Sequence, residues 1–344
     1  MPASPVANVS AVVSDGQLDP RAPAMLFEMA LGYWLPRCLH TVAELGVADQ
    51  IATAPVSAAQ LAKSCEANED ALYRVMRSLS SHGIFKQTAE GFVHSDLSLL
   101  LRSDHPHSMR AYARMIGMTA FWNSFLHMEH VVQSGEMGAL RVDPEGLFHY
   151  FQQNPHEGAL FNDAMEAKAC AAIPAVLKAY DFSRFDSVAD IGGGKGHLVQ
   201  AILDSTPRAK GILFDQPHVV ATVSASERIQ VIGGDFFRGG IPSSDLYILM
   251  EVLHDWNDEQ ARQILKSIRL AAEAGSLLLI IETVMPEVSQ AHLANALDIM
   301  MLVLTGGRER TRKEHAALLE SAGFSLNNLV TTESSYSILE AVAI

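Results

Sequence analysis

The sequence predicts an α/β doubly wound, Rossmann-like domain in its second half, preceded by a mostly α-helical module with a winged-helix pattern. After residue 181 short apolar runs alternate with helical stretches, as the strands and crossover helices of a largely parallel sheet do. The first run leads into a glycine-rich turn, Ile191-Gly192-Gly193-Gly194-Lys195-Gly196, and then a helix. Upstream, two short helical patterns precede a two-stranded one. The boundaries read as a tail over 1–23, the winged-helix-like module over 24–107, a helical region over 108–180 and the α/β domain over 181–344.

At 344 residues the chain is long for one domain and comfortable for two. A net charge of -14 argues against nucleic acid or an anionic membrane as a partner. The three cysteines, Cys38, Cys65 and Cys170, are widely separated, which fits a reducing compartment. The first 23 residues, rich in Pro, Ser, Ala and Val, lack the basic start and apolar core of a signal peptide and read as a disordered tail. No apolar run reaches transmembrane length, so the expected location is cytoplasmic.

Over 24–49 apolar residues recur at helical spacing, with Gly46 as a C-cap and Pro36 expected to kink or divide the helix. The segment is more apolar than a lone surface helix, which points to packing against another subunit. Residues 57–61 open a short helix, 68–79 form a second, and 82–94 read as a hairpin turning at Glu90-Gly91. Such a pattern usually means DNA binding. Yet residues 41–104 hold five Lys or Arg against eight Asp or Glu, so the electrostatic footprint for phosphate is absent and a structural or dimerisation module is the better reading.

Helical patterns continue over 108–178, interrupted near 135–144 and at Asn154-Pro155. They carry large soft side chains, Trp122, Phe161 and Met165 among them; most belong to a core, and the remainder suit a pocket for a flat aromatic ligand. His127 and His130 flank Glu129 without a third metal ligand, and no metal is expected.

In the α/β region the strands read as 188–191, 211–214 ending in Asp215, 229–232 leading to Gly234-Asp235-Phe236, 245–250, and 277–281 ending in Glu282. A helix over 258–272 takes Asn257 or a neighbour as its cap, and 325–330 with 336–343 form a terminal hairpin. Ligands of such a sheet sit at the carboxyl ends of its strands. Those ends present Gly192, Asp215, Asp235, His254 and Glu282.

Spacing narrows the ligand. The dinucleotide fingerprint fails, because its third glycine position is His197 or Val199, and a P-loop fails because Lys195 is followed by Gly196 and its first glycine position is Ala189. A carboxylate at the turn, Asp190, repels phosphate but suits a ligand with a positive amino acid end. Asp215, about twenty residues on, can accept both hydroxyls of a ribose. Asp235 with Phe236 suits an adenine.

The motifs Asp190-Ile191-Gly192-Gly193-Gly194-Lys195-Gly196, Phe214-Asp215-Gln216-Pro217, Gly233-Gly234-Asp235-Phe236-Phe237, His254-Asp255-Trp256-Asn257-Asp258-Glu259 and Gly306-Gly307-Arg308-Glu309-Arg310-Thr311, in that order, resemble the S-adenosylmethionine-dependent O-methyltransferases of the plant phenolic and hydroxyindole type. The resemblance spans the chain from about Met25 to its end. It implies a class I methyltransferase domain, an N-terminal winged-helix dimerisation domain and an intertwined homodimer. It further implies cofactor contacts from Gly192, Asp215, Asp235, Phe236 and Met250, and Asp190, Gly194 and Gln216 of the same motifs are candidates beside them. Plant members usually carry Lys at the position of Met250.

The resemblance makes His254 the base, with a reference pKa of about 6.5 suited to accepting a phenolic proton at neutral pH. Glu282 and Glu309 would be the two carboxylates that hold it, although a solvated loop charge among Arg308, Arg310 and Arg312 competes as a reading of Glu309. Asp255 is either a helix cap or a neighbour of the sulfonium. Candidates for the aromatic acceptor's pocket are Trp122, Phe161, Asn162, Met165, Asp255, Trp256, Asp298 and Met301. A nicotinamide-dependent oxidoreductase and a cofactor-binding relative without methyl transfer are the alternatives.

Overall fold

The computed structural model describes residues 18–221 and 223–344; the expected tail falls largely on residues 1–17, outside them. The chain forms two compact units, one running to Thr119 and including Asn154–Ala167, the other made of Ala120–Gln153 and Lys168–Ile344.

In the first unit the expected long N-terminal helix is two helices, Ala22–Leu31 and Trp34–Glu44. Proline removes one backbone donor and crowds the carbonyl four residues back, which places the break before Pro36, at Gly32-Tyr33. Pro36 itself sits in the first turn of the second helix, where its missing N–H costs nothing. Gly46, with φ of 65°, turns the chain out of that helix. The helix Ala58–Ser64 starts at a reciprocal cap between Ser57 and Gln60, and Glu69–Ser81 starts at Asn68, whose side chain accepts from the Ala71 N–H. The antiparallel strands β1 (Phe85–Gln87) and β2 (Phe92–His94) complete the wing. A Cβ on Gly91 would lie 2.4 Å from the Val56 oxygen, so only glycine fits. Leu61, Met76, Leu79, Phe85 and Phe92 close the core. By contrast, the helix Ala22–Leu31 buries none of its side chains, and Leu26, Phe27 and Met29 are exposed.

The helical region after 108 is more broken than its periodicity predicts: Arg110–Ile116, Thr119–Leu126, Met128–Ser134, Leu147–Gln153 and Pro155–Ala179. One extra break falls at Gly117, where a Cβ would lie 2.7 Å from the His40 side chain.

The second unit is built on a sheet that, among the described residues, has seven strands: β3 (Ser187–Ile191), β4 (Lys210–Asp215), β5 (Ile229–Gly233), β6 (Leu246–Met250), β7 (Leu277–Glu282), β8 (Phe324–Thr331) and β9 (Ser337–Ala343). The order is β5-β4-β3-β6-β7-β9-β8. The first five strands are parallel, and the terminal hairpin adds β9 and β8 antiparallel at one edge. Helices cover both faces, which is why inner strands such as β6 and β7 read as nearly unbroken apolar runs. Tyr247, Leu249, Leu278 and Ile280 pack with Ile264 and Ile268 of the helix Asp258–Ala271 on one face, and Leu246, Ile248, Leu279 and Ile281 pack with Val176, Leu198 and Ile202 on the other. The chain winds outward from β3 through β4 to β5, then returns to β6 on β3's other side. The strand order therefore reverses between β3 and β6, the position at which a doubly wound sheet opens a crevice.

Candidate active site

Beyond β3 the chain makes the glycine turn. Gly192, Gly194 and Gly196 adopt φ of 72°, 58° and 82°, a region that side chains disfavour. A Cβ on Gly193 would lie 2.5 Å from the Asp190 carboxyl, whereas one on Gly194 would meet nothing within 4 Å, so the turn packs tightly below and faces open space at Gly194. Asp215, at the end of β4, accepts from the Gly194 N–H at 2.8 Å and from the Gln216 N–H at 2.6 Å. Its carboxylate pins the turn and keeps lone pairs for a further donor. Asp190 is 1% exposed beneath the turn, and burial, with the charge of Asp215 beside it, pushes its pKa up to about 7. Its Oδ2 has no hydrogen-bond partner among the described residues. Asp190 is thus the floor of the turn, not a side chain at its surface.

Asp235 follows β5. One of its oxygens accepts from the Phe237 N–H at 2.9 Å, and Arg238 lies 3.3 Å away. Phe236 stacks edge-on against Phe237 and Trp256, with centroids 4.9 and 5.9 Å apart. Trp256, predicted as an acceptor contact, belongs to this aromatic cluster. Met250 ends β6, half-buried, and Glu251 after it holds φ of 54°, its carboxylate paired with Lys168.

His254 lies in a short helical turn, Leu253–Asp255, just past β6. Its Nδ1 is 2.9 Å from Glu309 Oε1, its backbone N–H donates to Glu282 Oε1 at 3.0 Å, and its Nε2 is 3.8 Å from Asp255 Oδ1. The two glutamates therefore act on different parts of the residue: Glu309 orients the ring and Glu282 anchors the backbone of its loop. Glu309 is 4% exposed, which removes the reading as a solvated loop charge. The cap of the next helix is Asn257, which accepts from the Glu259 and Gln260 N–H groups, so Asp255 is not a cap.

The electrostatics depart from the expected ordinary imidazole. Burial alone favours the neutral ring, but the hydrogen bond to Glu309 and the charges of Asp255 and Glu282 outweigh it and push His254 up to about 10. Burial in turn raises Glu282 to about 7, with Glu309 adding to the shift.

Several positioning residues escape sequence reasoning. Arg310 reads as one more loop charge, yet its side chain is 0% exposed and is the clamp of the His254 loop. It donates to the Leu253 carbonyl at 3.0 Å, the Trp256 carbonyl at 2.8 Å and Asp258 at 3.0 Å. Gly307 lets this segment approach, since a Cβ there would lie 1.9 Å from the His254 carbonyl oxygen. Asp298, predicted as an acceptor contact, receives the Glu309 N–H at 2.9 Å and so supports the ring's partner. Met301 shares Asp298's helix, Leu293–Leu304. Trp122 lies in the helix Thr119–Leu126 of the same unit, whereas Phe161, Asn162 and Met165 belong to the first unit.

Residues 125–325 match the model of the O-methyltransferase domain, and residues 27–104 match that of the O-methyltransferase dimerisation domain. A phenazine O-methyltransferase of Lysobacter antibioticus is 40% identical over 328 residues, covering 92% of this chain and 95% of the relative. The crystal structure of a methyltransferase of calicheamicin biosynthesis, in a form with S-adenosylhomocysteine bound, superposes with a TM-score of 0.87 at 32% identity, covering 95% of this chain and 100% of that one. Human N-acetylserotonin methyltransferase in complex with S-adenosylmethionine gives a TM-score of 0.86 at 29% identity over 96% of this chain and 99% of that one. With two domain models matched in order and the similarity spanning nearly its whole length, the chain belongs to the O-methyltransferase family and is an S-adenosylmethionine-dependent enzyme.

Proposed function

We propose that the enzyme methylates a phenolic hydroxyl of an aromatic small molecule of secondary metabolism, with His254 as the general base. The observation that carries this reading is the 2.9 Å contact between His254 Nδ1 and the buried Glu309 carboxylate. A carboxylate there accepts a hydrogen bond from Nδ1–H and so leaves Nε2 as the nitrogen that exchanges a proton with substrate. The hydrogen bond to Glu309 and the charges of Asp255 and Glu282 raise the ring's proton affinity above that of an ordinary imidazole, towards that of a phenol, which favours transfer from the phenol once the ring is neutral. Glu309 then stabilises the imidazolium, and Glu282 and Arg310 keep its loop in place. Relatives that include a phenazine and an acetylserotonin O-methyltransferase favour an aromatic acceptor. Methyl transfer to a panel of phenols, measured with His254→Ala alongside wild type, tests the assignment.

The residues at the strand ends fit the cofactor. S-adenosylmethionine supplies a methyl group already activated on a sulfonium. Gly194 leaves open space for it, Asp215 offers a carboxylate to the ribose hydroxyls, and Asp235, Phe236 and Met250 are the contacts for the base. Asp190 acts from beneath the turn. Asp215→Ala is expected to weaken S-adenosylhomocysteine binding by roughly 1 to 3 kcal/mol, about fivefold to 150-fold. Because Asp215 also holds the Gly194 N–H, the loss should sit at the upper end. Calorimetric titration giving wild-type affinity would remove Asp215 from the site.

We infer a homodimer formed through the first unit. The helix Ala22–Leu31 leaves Leu26, Phe27 and Met29 in solvent in the single chain, and it lies at the start of the segment that matches the dimerisation domain. Phe27→Glu combined with Met29→Glu is expected to give a monomer in light scattering. A double variant that stays dimeric would place the interface elsewhere.

A further inference from the structure

His315 lies in the helix Arg312–Ser321, whose first turn is closed by a reciprocal cap between Thr311 and Glu314. Its ring is completely buried, and neither ring nitrogen has a hydrogen-bond partner among the described residues. A Phe or Leu would fill that volume without the cost of burying two polar nitrogens. The imidazole is not placed at random in the core. Its Nε2 lies 3.6 Å from Glu282 Oε2, the very oxygen of Glu282 that is otherwise without a hydrogen-bond partner, while Oε1 of the same carboxylate holds the His254 N–H. A shift of a few tenths of an ångström turns this contact into a hydrogen bond.

We propose that His315 is a positioning residue for the base: it presents Nε2–H to Glu282 Oε2, keeps that buried carboxylate ionised, and through it holds both the loop and the charge environment of His254. This rests on the reading of His254 as the base. The charged groups that face Glu282 are His254 from the loop after β6, Glu309 and Arg310 from the loop before the helix, and His315 from the helix itself. Ser337, opposite it on β9, carries no charge. Burial, with the charges of Arg310 and His254 adding to it, holds the pKa of His315 down to about 3, so it donates as a neutral ring and adds no positive charge of its own.

The test is a titration of the ring nitrogens by NMR on 15N-histidine-labelled full-length protein without cofactor, which needs no methyl acceptor. In His315→Phe, Glu282 faces hydrocarbon and gives up its proton only at higher pH. Glu282, near 7, ionises well below His254, near 10, so its titration registers as a separate, smaller step in the His254 ring shifts, which are identified by their loss in His254→Ala; that step should move up by about one unit or more. His315→Gln, which restores an N–H donor, should recover most of the shift. An unmoved step in folded His315→Phe would overturn the proposal. So would a wild-type spectrum showing His315 protonated on Nδ1, a measurement that depends on no variant folding. Full methyl transfer by His254→Ala would instead overturn the base assignment, whatever the titrations show.

Discussion

His254→Ala is expected to lower kcat for a phenolic acceptor at least about a hundredfold, the lower end for loss of a general base, while affinity for S-adenosylhomocysteine stays near wild type. The two effects separate because the glycine turn and Asp215 lie on β3 and β4, whereas the base lies past β6 and is held by Glu309, Glu282 and Arg310. The pH dependence sharpens the expectation. His254 is raised to about 10 and must be neutral to accept a proton, so wild-type kcat/KM should climb with pH across the range from about 6.5, the ordinary imidazole value, towards 10. The alanine variant should lose that limb. The same shift contributes stability that is fully present below the unfolded value and disappears as pH rises through the folded one, so its melting deficit should shrink in alkali. Acidic phenols, already ionised at the assay pH, need the base less and should lose less rate. Equal losses for ionised and un-ionised phenols would make His254 an orienting group instead.

Arg310→Met should be the most damaging substitution outside the residues that touch substrate. It leaves the Trp256 carbonyl without its donor, takes from the Leu253 carbonyl one of two donors, the other being the Trp256 N–H, and removes the Arg310 contact of Asp258. At roughly 1 to 3 kcal/mol for the acceptor left unpaired, the melting temperature of the second unit should fall by about 2 to 12 °C. Since the same loop carries His254, kcat should fall roughly a hundredfold, as misplacement of a catalytic group by about an ångström does. Arg310→Lys should rescue little, because a compact ammonium cannot reach three separated acceptors in a fixed plane. Calorimetric melting within about a degree of wild type, with kcat unchanged, would show that the loop holds itself.

Much of this architecture is legible along the chain. The apolar runs of the inner parallel strands, the glycine turn and the acidic strand ends follow from period and composition, because a strand covered on both faces has little room for polar side chains except near its ends. Ser57 with Gln60, Asn68 and Asn257 announce helix starts through bonds that reach only three residues. The ordered motifs placed the base and its two glutamates among the candidates. What sequence could not apportion depends on contacts between segments far apart in the chain. That Glu309 holds the ring and Glu282 the backbone, that Asp298 supports Glu309, and that Arg310 is a buried clamp follow from separations of 55, 28, 11 and 57 residues. No local pattern encodes such pairings. The pKa of His254 belongs to the same class. An imidazole near 6.5 is a property of the residue, but a value near 10 is a property of the carboxylates that the sheet and the returning loop bring to it. Local chemistry determined which elements form and which residues reach the strand ends; only the tertiary fold decided what each does there, because charge and hydrogen-bond geometry act over a few ångströms of space, whatever the distance along the chain.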